Sequence, residues 1–540
     1  MSSYKRASQI LLTGVAFTAL SACNGANDVA SPGSGGDITI NNPAPTPSPS
    51  PTPTPSPTSA LITPASGCPT IADSQGLTEG DGTTRTITGP TGEYLICTLP
   101  TRIKASVTLP YIKGIVYRLG GRVDVGTDGG PTASASDTNV TLTIDPGVIV
   151  YGGTGVSWLA VNRGNKLHAV GTVEKPIIFT SRDNILGLNT ENSSGQWGGV
   201  VLLGRGQVTD CQDPAATPGT TACERQTEGA VDPALYGGNS NDDNSGDLEY
   251  IQIRYSGYVL SANSELQSLT PSGVGTGTVM DHFLSVNSSD DGAEFFGGHP
   301  RMKHYISVGA EDDNIDSDTG TKARFQYVLV AQRPNIGDAI IEADTDNTTS
   351  ANTPRQYTQV VNFTFLDRSP NASSDLASIL LRGQTDYALI NGILVSPNNP
   401  CIRMSDPQTV AAKGSAADEN GPPVFRSMVM QCGSTKYVGS TTNGTVTADQ
   451  VEAIFGSGSN NNDDAFTPSL VSDYIDGANE LAVTPTDPTS FDSYFDKTTY
   501  IGAVKDGNDT WYQGWTCNSN AADFGSGNSG ACSSLPVYSD

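Results

Sequence analysis

An acidic pentapeptide recurs in this chain at a fixed interval. The sequence Asp290-Asp-Gly-Ala-Glu294 returns one repeat later as Asp312-Asp-Asn-Ile-Asp316. The segments around it recur at the same interval, since residues 282–286, 304–308 and 326–330 share one pattern of polar, aromatic and aliphatic side chains. A repeat of this length around a β-type core is typical of a parallel β-solenoid, in which each coil lies directly on the coil before it.

The rest of the chain favours the same architecture. Short β-type segments bounded by Gly, Asn, Asp or Pro follow one another from residue 142 to residue 395, and amphipathic segments of helical length are scarce between them. We therefore predict an all-β protein whose body is a right-handed parallel β-helix over residues 136–405. Residues 67–135 are predicted to form an irregular N-terminal cap, and residues 406–540 a C-terminal cap or a small irregular domain.

The repeat also predicts columns of stacked side chains. Leu284, Ile306 and Val328 are predicted to form one column that faces the core. On the opposite face the same spacing aligns Phe283, Tyr305 and Tyr327. Such an aromatic column is either a platform on which a sugar stacks or a structural stack beneath a loop.

The N-terminal residues indicate export. Residues 1–22 combine a basic start with an apolar run too short to span a membrane, as in a secretory signal peptide. The sequence Leu20-Ser-Ala-Cys23 resembles the lipobox of bacterial lipoproteins, which implies a diacylglycerol on Cys23 and attachment to a membrane. Residues 23–66 are rich in Pro, Ser and Thr, which predicts an extended linker. We expect an exported outer-membrane lipoprotein that is periplasmic or surface-exposed.

Charge and cysteine content constrain the partners and the cross-links. The net charge of −27 argues against nucleic acid as a ligand and favours divalent cations or a positively charged partner. Apart from Cys23, eight cysteines remain, and an oxidising compartment favours disulfides over metal sites. The sequence leaves their connectivity open. Pairing between neighbours predicts Cys68–Cys97, Cys211–Cys223, Cys401–Cys432 and Cys517–Cys532.

Several segments carry a family resemblance. They include the stretches 142–149, 175–181 and 197–204, the acidic segment 290–298, and the ending from Tyr500 to Trp515. Together they resemble a group of poorly characterised bacterial cell-surface proteins, many of them lipoproteins, with a predicted right-handed parallel β-helix body. The resemblance covers roughly residues 140 to 517. It implies fold and location, and it implies no activity.

The acidic repeat makes a chemical prediction. Adjacent coils lie about 4.8 Å apart, where two like charges repel by about 3.5 kcal/mol at an effective dielectric constant of about 20. A bound cation, side chains splayed into water, or protonation with raised pKa values would each relieve this repulsion. Dense carboxylate oxygens suit Ca²⁺. The predicted ligands are Asp290, Asp291, Glu294, Asp312, Asp313 and Asp316, with Asp338 one repeat above Asp316.

Other residues leave further alternatives open. His282 and His304 are one repeat apart, so they form either a metal pair or hydrogen-bonded corner residues. A calcium-dependent lyase of the pectate type would need an Arg or Lys base beside its calcium ligands. Arg254, Lys303 and Arg324 are available for that role, and the sequence selects none of them.

These observations lead to a functional prediction. We expect a Ca²⁺-stabilised, non-catalytic cell-surface lipoprotein that binds a glycan, a matrix component or a partner receptor. One alternative is a calcium-dependent polysaccharide lyase or glycoside hydrolase. Another is an accessory lipoprotein that serves an outer-membrane nutrient transporter. No catalytic residue can be assigned from the sequence, and fold analogy alone is a weak argument for catalysis.

Overall fold

Most of the chain in this computed structural model alternates between two parallel sheets. The structure describes residues 61–538 apart from 228–229, 231, 262–263, 346–351, 369–376, 443 and 528. Residues 60–540 form one compact unit. The predicted signal peptide, Cys23 and nearly all of the predicted linker lie outside the described residues.

The described residues contain 31 strands and few helices. The strands are β1 (Thr78–Glu79), β2 (Thr86–Gly89), β3 (Gly92–Thr98), β4 (Arg102–Ile103), β5 (Val107–Leu109), β6 (Ile115–Leu119), β7 (Arg122–Val125), β8 (Thr141–Ile144), β9 (Ile149–Gly152), β10 (Trp158–Val161), β11 (Lys166–Val170), β12 (Ile177–Ser181), β13 (Gly199–Leu203), β14 (Arg225–Gln226), β15 (Leu235–Tyr236), β16 (Gly246–Arg254), β17 (Val259–Ser261), β18 (Ser264–Glu265), β19 (Leu269–Ser272), β20 (Val279–Val286), β21 (Glu294–Phe296), β22 (Arg301–Val308), β23 (Ile315–Asp318), β24 (Arg324–Ala331), β25 (Ile341–Ala343), β26 (Tyr357–Leu366), β27 (Ile379–Leu381), β28 (Asp386–Ser396), β29 (Ile402–Met404), β30 (Val424–Cys432) and β31 (Tyr437–Val438). The helices are α1 (Arg182–Leu186), α2 (Ala448–Phe455), α3 (Ala478–Leu481) and a 3₁₀ turn at Pro488–Ser490.

The strands build a parallel β-helix, as the sequence predicted. The long-strand sheet contains β16, β20, β22, β24, β26, β28 and β30 as consecutive neighbours. The short-strand sheet contains β19, β21, β23, β25, β27, β29 and β31 in the same way. Because the chain visits the two sheets in turn, each visit adds one coil. The largest hydrophobic cluster draws on both sheets and fills the space between them.

A column of kinks bends the long strands. Seven successive strands each contain one residue with φ between 50° and 63°, in the left-handed region. Such a residue interrupts the two-residue alternation of a strand, so Met280 and Phe283 both face the interior although an odd number of positions separates them. The column consists of Tyr250, His282, His304, Tyr327, Asn362, Asn391 and Ser427.

This kink overturns the predicted columns. Tyr305 pairs with Val328 and not with Tyr327, so the coil between them is longer by one residue than the fixed repeat requires. Leu284 and Ile306 do not face the solenoid interior, since they pack outwards against the C-terminal residues. The interior position belongs to Phe283, Tyr305 and Val328. The predicted columns require uninterrupted alternation along each strand, and a single left-handed residue in each strand reverses the faces.

Parallel pairing extends beyond residues 136–405 at both ends. It begins with the pairing of β3 and β6, at Leu95 and Ile115, and it ends with that of β29 and β31. Helix α2 then covers the last coil, and its Val451 and Phe455 join the interior core. The Thr447 side chain accepts a hydrogen bond from the Gln450 N–H, and the Gln450 side chain accepts one from the Thr447 N–H, so the helix starts with a capping box.

The C-terminal strap, defined as residues 466–538, runs back along the outer face of the long-strand sheet. Thr486 donates its backbone N–H to Asn391 Oδ1 at 2.8 Å. Asp496 donates in the same way to Gln326 Oε1 at 2.8 Å. The carbonyl oxygen of Cys532 accepts from Arg254 at 2.9 Å. These contacts meet the coils in reverse order, so the region predicted to be a cap or a separate domain is a covering segment of the β-helix.

Four disulfides cross-link the structure, and they are the four predicted pairs: Cys68–Cys97, Cys211–Cys223, Cys401–Cys432 and Cys517–Cys532. The last of these closes a loop within the strap. Among the described residues, no helix has both the length and the apolar character needed to cross a bilayer.

Candidate metal centre

The acidic residues lie on the outer face of the short-strand sheet. In three successive coils an apolar residue points into the interior core, so the acid that follows it points outwards. Backbone pairing sets these acids side by side. The three apolar–acid pairs are Ala293–Glu294, Ile315–Asp316 and Ile341–Glu342.

Four more acids lie where the chain enters β21 and β23. Asp291 and Asp313 are buried, with exposed fractions of 5% and 4%. Asp290 is half-buried and Asp312 is exposed. The structure therefore brings together six of the seven predicted ligands: Asp290, Asp291, Glu294, Asp312, Asp313 and Asp316.

Asp338 does not lie above Asp316, and that part of the prediction is wrong. Glu294 pairs with Asp316, but Asp316 pairs with Glu342, so the second interval is longer than the first. The longer coil places Asp338 above Asp312, whose carbonyl oxygen accepts the Asp338 N–H at 3.1 Å. A change in coil length shifts the register, and Glu342 occupies the position that the fixed period gave to Asp338.

The acids line a cleft of about 210 Å³, and eight of its nine lining residues are carboxylic acids. The ninth is Gln267, which donates from its side-chain amide to Asp290 Oδ2 at 3.1 Å. The lining acids are Glu265, Asp290, Asp291, Glu294, Asp312, Asp313, Asp316 and Glu342.

Burial and mutual repulsion raise the pKa values of these acids. For Asp291, burial raises the pKa well above its usual range, and the charges of Asp290 and Glu294 raise it further. For Asp313 and Asp316, burial again has the largest effect on the pKa, followed by the charge of Glu342. In the absence of a cation the cleft therefore retains protons that isolated carboxyl groups lose.

Arg382 borders the cleft at its far end. It forms an ion pair with Glu342 and lies 3.6 Å from Asp344. Burial by itself would lower the pKa of the Arg382 guanidinium, but the charges of Glu342 and Asp344 outweigh burial and raise it. One guanidinium neutralises only part of the charge of eight carboxylates, so the cleft still favours a multivalent cation.

Two groups of three carboxylates have the spacing of metal ligands. Asp290, Asp291 and Asp312 offer oxygens that lie within 4.8 Å of one another, and so do Asp291, Glu294 and Asp316. Ca²⁺ takes six to eight oxygen ligands at about 2.3–2.6 Å. The all-oxygen lining fits such an ion better than zinc, which favours nitrogen and sulfur ligands.

The sequence does not predict three lining residues of this cleft, Glu265, Gln267 and Glu342, or the neighbouring Arg382. Glu265 comes from the hairpin of β17 and β18, which no repeat predicts. Glu342 had a usable signal, because Ile341-Glu-Ala343 has the same apolar–acid–small pattern as Ile315-Asp-Ser317. A search for that pattern, rather than for a fixed interval, would have found it.

The two stacked histidines belong to a ring ladder on the other sheet. The ring centroids of His282 and His304 are 4.2 Å apart. Both Nδ1 atoms contact Asp281 Oδ1, at 2.8 and 2.6 Å. The rings of Tyr250 and Tyr327 extend the stack at either end. The histidines thus bind a nearby carboxylate and support the strap, whose Trp511 and Trp515 pack against them.

The predicted aromatic platform is wrong. Phe283 and Tyr305 are 1% and 0% exposed and stack inside the solenoid, where the Tyr305 hydroxyl donates to the Asn314 carbonyl oxygen at 2.7 Å. Tyr327 stacks on His304 in the ladder. None of the three forms an exposed surface on which a sugar could stack.

The three candidate bases also lie on the long-strand sheet, away from the acidic face. Arg254 is fully buried and donates to strap carbonyl oxygens. Lys303 pairs with Asp496 at 2.8 Å, and Arg324 pairs with Asp492 at 2.9 Å. These ion pairs attach the strap to the sheet.

Comparison with known proteins supports the β-helix fold. No curated protein and no solved structure gives a significant match to the chain. Residues 130–516 match the family described as the pectate-lyase like beta helix domain. That stretch contains both sheets around the cleft and most of the strap. The chain therefore belongs to the pectate-lyase-like β-helix family.

Proposed function

We propose that the protein is a calcium-binding cell-surface module that engages a polysaccharide without cleaving it. The observation that carries the proposal is the column of outward-facing carboxylates in three successive coils, with two buried acids beside it. Because the two candidate ligand groups share Asp291, we assign them one shared Ca²⁺ site.

Electrostatics support the choice of a cation. When neighbouring carboxylates in a partly buried cleft are all ionised, they repel one another by several kcal/mol. A divalent ion removes this repulsion and allows the buried Asp291 and Asp313 to be ionised at neutral pH. Calcium binding and the loss of protons from these two groups would then be coupled.

The polysaccharide component rests on the family and on the position of the cleft. Membership of a pectate-lyase-like family fits a polysaccharide-related function. The cleft is open, since Asp312 is exposed. A Ca²⁺ ion held by carboxylates on one side keeps coordination positions for sugar hydroxyl or carboxylate oxygens on the other.

A calcium-dependent lyase is the alternative, and Arg382 is the residue that favours it. It lies beside the cleft, where a lyase would need its base. Its ion pairs with Glu342 and Asp344 hold a proton on the guanidinium and oppose that role. We therefore favour binding without cleavage.

The proposal places the β-helix at a membrane surface. Acylation of Cys23 would anchor the chain, and the Pro-rich linker would hold the body away from the lipid. Incorporation of a palmitate analogue into the wild-type protein, and its loss in Cys23→Ala, would test this. A role beside an outer-membrane transporter remains an alternative for the same anchored protein.

Melting temperature with Ca²⁺ and with chelator tests the metal. We expect Ca²⁺ to raise it in the wild type and to raise it much less in Asp290→Asn and Asp312→Asn. An unchanged wild-type melting temperature would remove the calcium site. A glycan array with and without chelator tests the ligand, and ultraviolet absorbance of new unsaturated ends would indicate a lyase instead.

A further inference from the structure

A second polar pocket lies beyond the carboxyl ends of β21 and β23. Its volume is about 480 Å³, and seven separate stretches of the chain contribute to it. The acidic cleft lies at the amino ends of the same two strands and shares no lining residue with this pocket. The pocket is large enough for a small organic ligand.

A glycine next to the pocket holds three of its lining segments together. Gly298 has φ of 69°, and a Cβ atom there would lie 2.2 Å from the carbonyl oxygen of Val274. Its N–H donates to the Gln207 carbonyl oxygen at 2.7 Å, and its own carbonyl oxygen accepts from the Lys322 N–H at 2.9 Å. Only glycine allows this approach, which sets Gln207, His299 and Lys322 on three neighbouring segments.

The pocket has little net charge, unlike the acidic cleft. Lys322 and Asp418, both in its lining, form an ion pair at 2.7 Å. Burial lowers the pKa of His299 to about 4, with Lys322, Arg324 and Arg301 adding to the effect, so the imidazole is neutral at pH 7. A neutral imidazole offers one hydrogen-bond donor and one acceptor.

Hydrogen bonds within the protein fix two polar side chains of the pocket, Gln207 and Asn241. Gln207 accepts from the Asn241 amide at 2.8 Å, and its own amide donates to the Gly219 carbonyl oxygen at 2.7 Å, which fixes both side chains. Within the described part of the chain, the His299 ring nitrogens have no hydrogen-bond partner. Pro218 and Pro354 add apolar faces to the lining.

We propose that this pocket binds an uncharged sugar residue of the polysaccharide. Fixed amides, a neutral imidazole and proline faces match a ligand that presents hydroxyl groups around an apolar ring. Because Lys322 and Asp418 neutralise each other, the pocket favours an uncharged ligand over a charged one. This inference rests on the proposed glycan binding and deepens it, because it gives the glycan a neutral subsite besides the calcium cleft.

Histidine NMR tests the pocket directly. The chain has only four histidines, so ring signals of full-length protein can be assigned with single His→Gln variants. In chelator, we would titrate neutral xylo-, manno-, gluco- and galacto-oligosaccharides, with oligogalacturonate as the charged comparison. We expect at least one neutral oligosaccharide to shift the His299 signal while the His282 and His304 signals stay in place.

Variants then measure the contribution of His299. His299→Leu is expected to weaken binding of the active oligosaccharide about tenfold, as for the loss of one hydrogen bond or two. His299→Gln keeps a donor and an acceptor and should restore part of the affinity. His168→Gln, on the long-strand sheet, is the matched control and should bind as the wild type does.

The outcomes separate this pocket from the calcium cleft. An unmoved His299 signal with every oligosaccharide, or a shift with oligogalacturonate alone, would overturn the neutral subsite even if Ca²⁺ still stabilises the protein. A neutral oligosaccharide that shifts His299 in a protein without a calcium response would support the subsite and refute the metal centre.

Discussion

Asp313 donates its backbone N–H to Asp291 Oδ1 at 2.9 Å, from one coil to the next. Ala339 in turn donates to Asp313 Oδ1 at 2.7 Å. Each buried carboxylate is therefore held by the backbone of the following coil, which fixes its position whether or not it is charged. Position and charge can thus be tested separately, because an Asn side chain keeps the accepting oxygen.

The first prediction concerns the pH dependence of stability in chelator. The pKa values of Asp291, Asp313 and Asp316 are raised in the fold. The protonated carboxyl groups stabilise the fold fully at a pH below their pKa in the unfolded chain, about 3.9. This stabilisation is lost as the pH rises through their pKa in the folded protein. Asp313→Asn should therefore melt higher than the wild type in chelator, by a margin that grows from pH 5 to pH 8.

Calcium should reverse this difference. With Ca²⁺ the wild type no longer bears the repulsion, so it should gain stability at pH 8 and little at pH 5, where protons compete for the ligands. Thermal melts over this pH range measure both effects. A wild type whose calcium response is the same at pH 5 and pH 8 would contradict the coupling.

The second prediction tests the register at the end of the column. At a calcium concentration of 100 times the dissociation constant, the wild type gains about 2.7 kcal/mol. Glu342→Gln should weaken calcium binding about tenfold and reduce the gain to about 1.4 kcal/mol. Asp338→Asn, which changes the acid that the fixed period selected, should leave the calcium gain unchanged.

Calorimetric or urea unfolding with and without Ca²⁺ gives these gains. Glu174→Gln removes an exposed acid outside the cleft and serves as the charge-matched control. If Asp338→Asn and Glu342→Gln reduced the stability gained from calcium equally, the observed strand pairing would not identify the calcium ligands.

The third prediction concerns the strap. Replacing Cys517 and Cys532 together by Ser should lower the free energy of unfolding by about 3 kcal/mol, because the disulfide closes a loop of 15 residues. Trp515 lies just before that loop and packs against His282, so its fluorescence should shift towards the red. Urea unfolding followed by fluorescence measures both changes.

The double replacement of Cys211 and Cys223 is the matched control for the strap. That disulfide closes a comparable loop of 12 residues elsewhere on the solenoid. It should lower stability by a similar amount without changing the native tryptophan spectrum. An identical spectral change in both variants would show that the strap does not depend on its own disulfide.

The fourth prediction concerns Asp476, a strap residue that is 4% exposed. Neither of its carboxyl oxygens has a hydrogen-bond partner within the described part of the chain. Burial raises its pKa to about 9, and the charge of Glu480 adds to this. The protonated form therefore stabilises the fold at neutral pH, and that stabilisation is lost as pH rises through 9.

Asp476→Asn replaces the protonated acid with a group that cannot ionise. We expect the variant to melt at a higher temperature than the wild type at pH 9 and above, with the difference shrinking towards pH 4. Differential scanning calorimetry between pH 5 and pH 10 checks this. A difference that does not vary with pH would show that Asp476 does not titrate in the fold.

Residue spacing along the chain is enough to predict the solenoid and its acidic face. The interval between Asp290 and Asp312 predicted parallel stacking, because identical coils place equivalent residues one above the other. The same spacing places Asp291 and Asp313 together. Pairing of neighbouring cysteines matches the four disulfides, although cysteine order alone leaves other connectivities open. These features depend on local spacing, which a linear sequence displays directly.

The faces of the long strands and the register at the end of the acidic column depend on how the coils fold in three dimensions. A left-handed residue such as His304 reverses the alternation after it, so Tyr305 points inwards although a regular strand would place it outside. Because the next coil is longer, Glu342 and not Asp338 lies beside Asp316 in the acidic column. The strap then buries Arg254 beneath residues from the far end of the chain, such as Cys532. Backbone twist, coil length and distant packing leave no periodic trace in a sequence, because each depends on which segments meet in space.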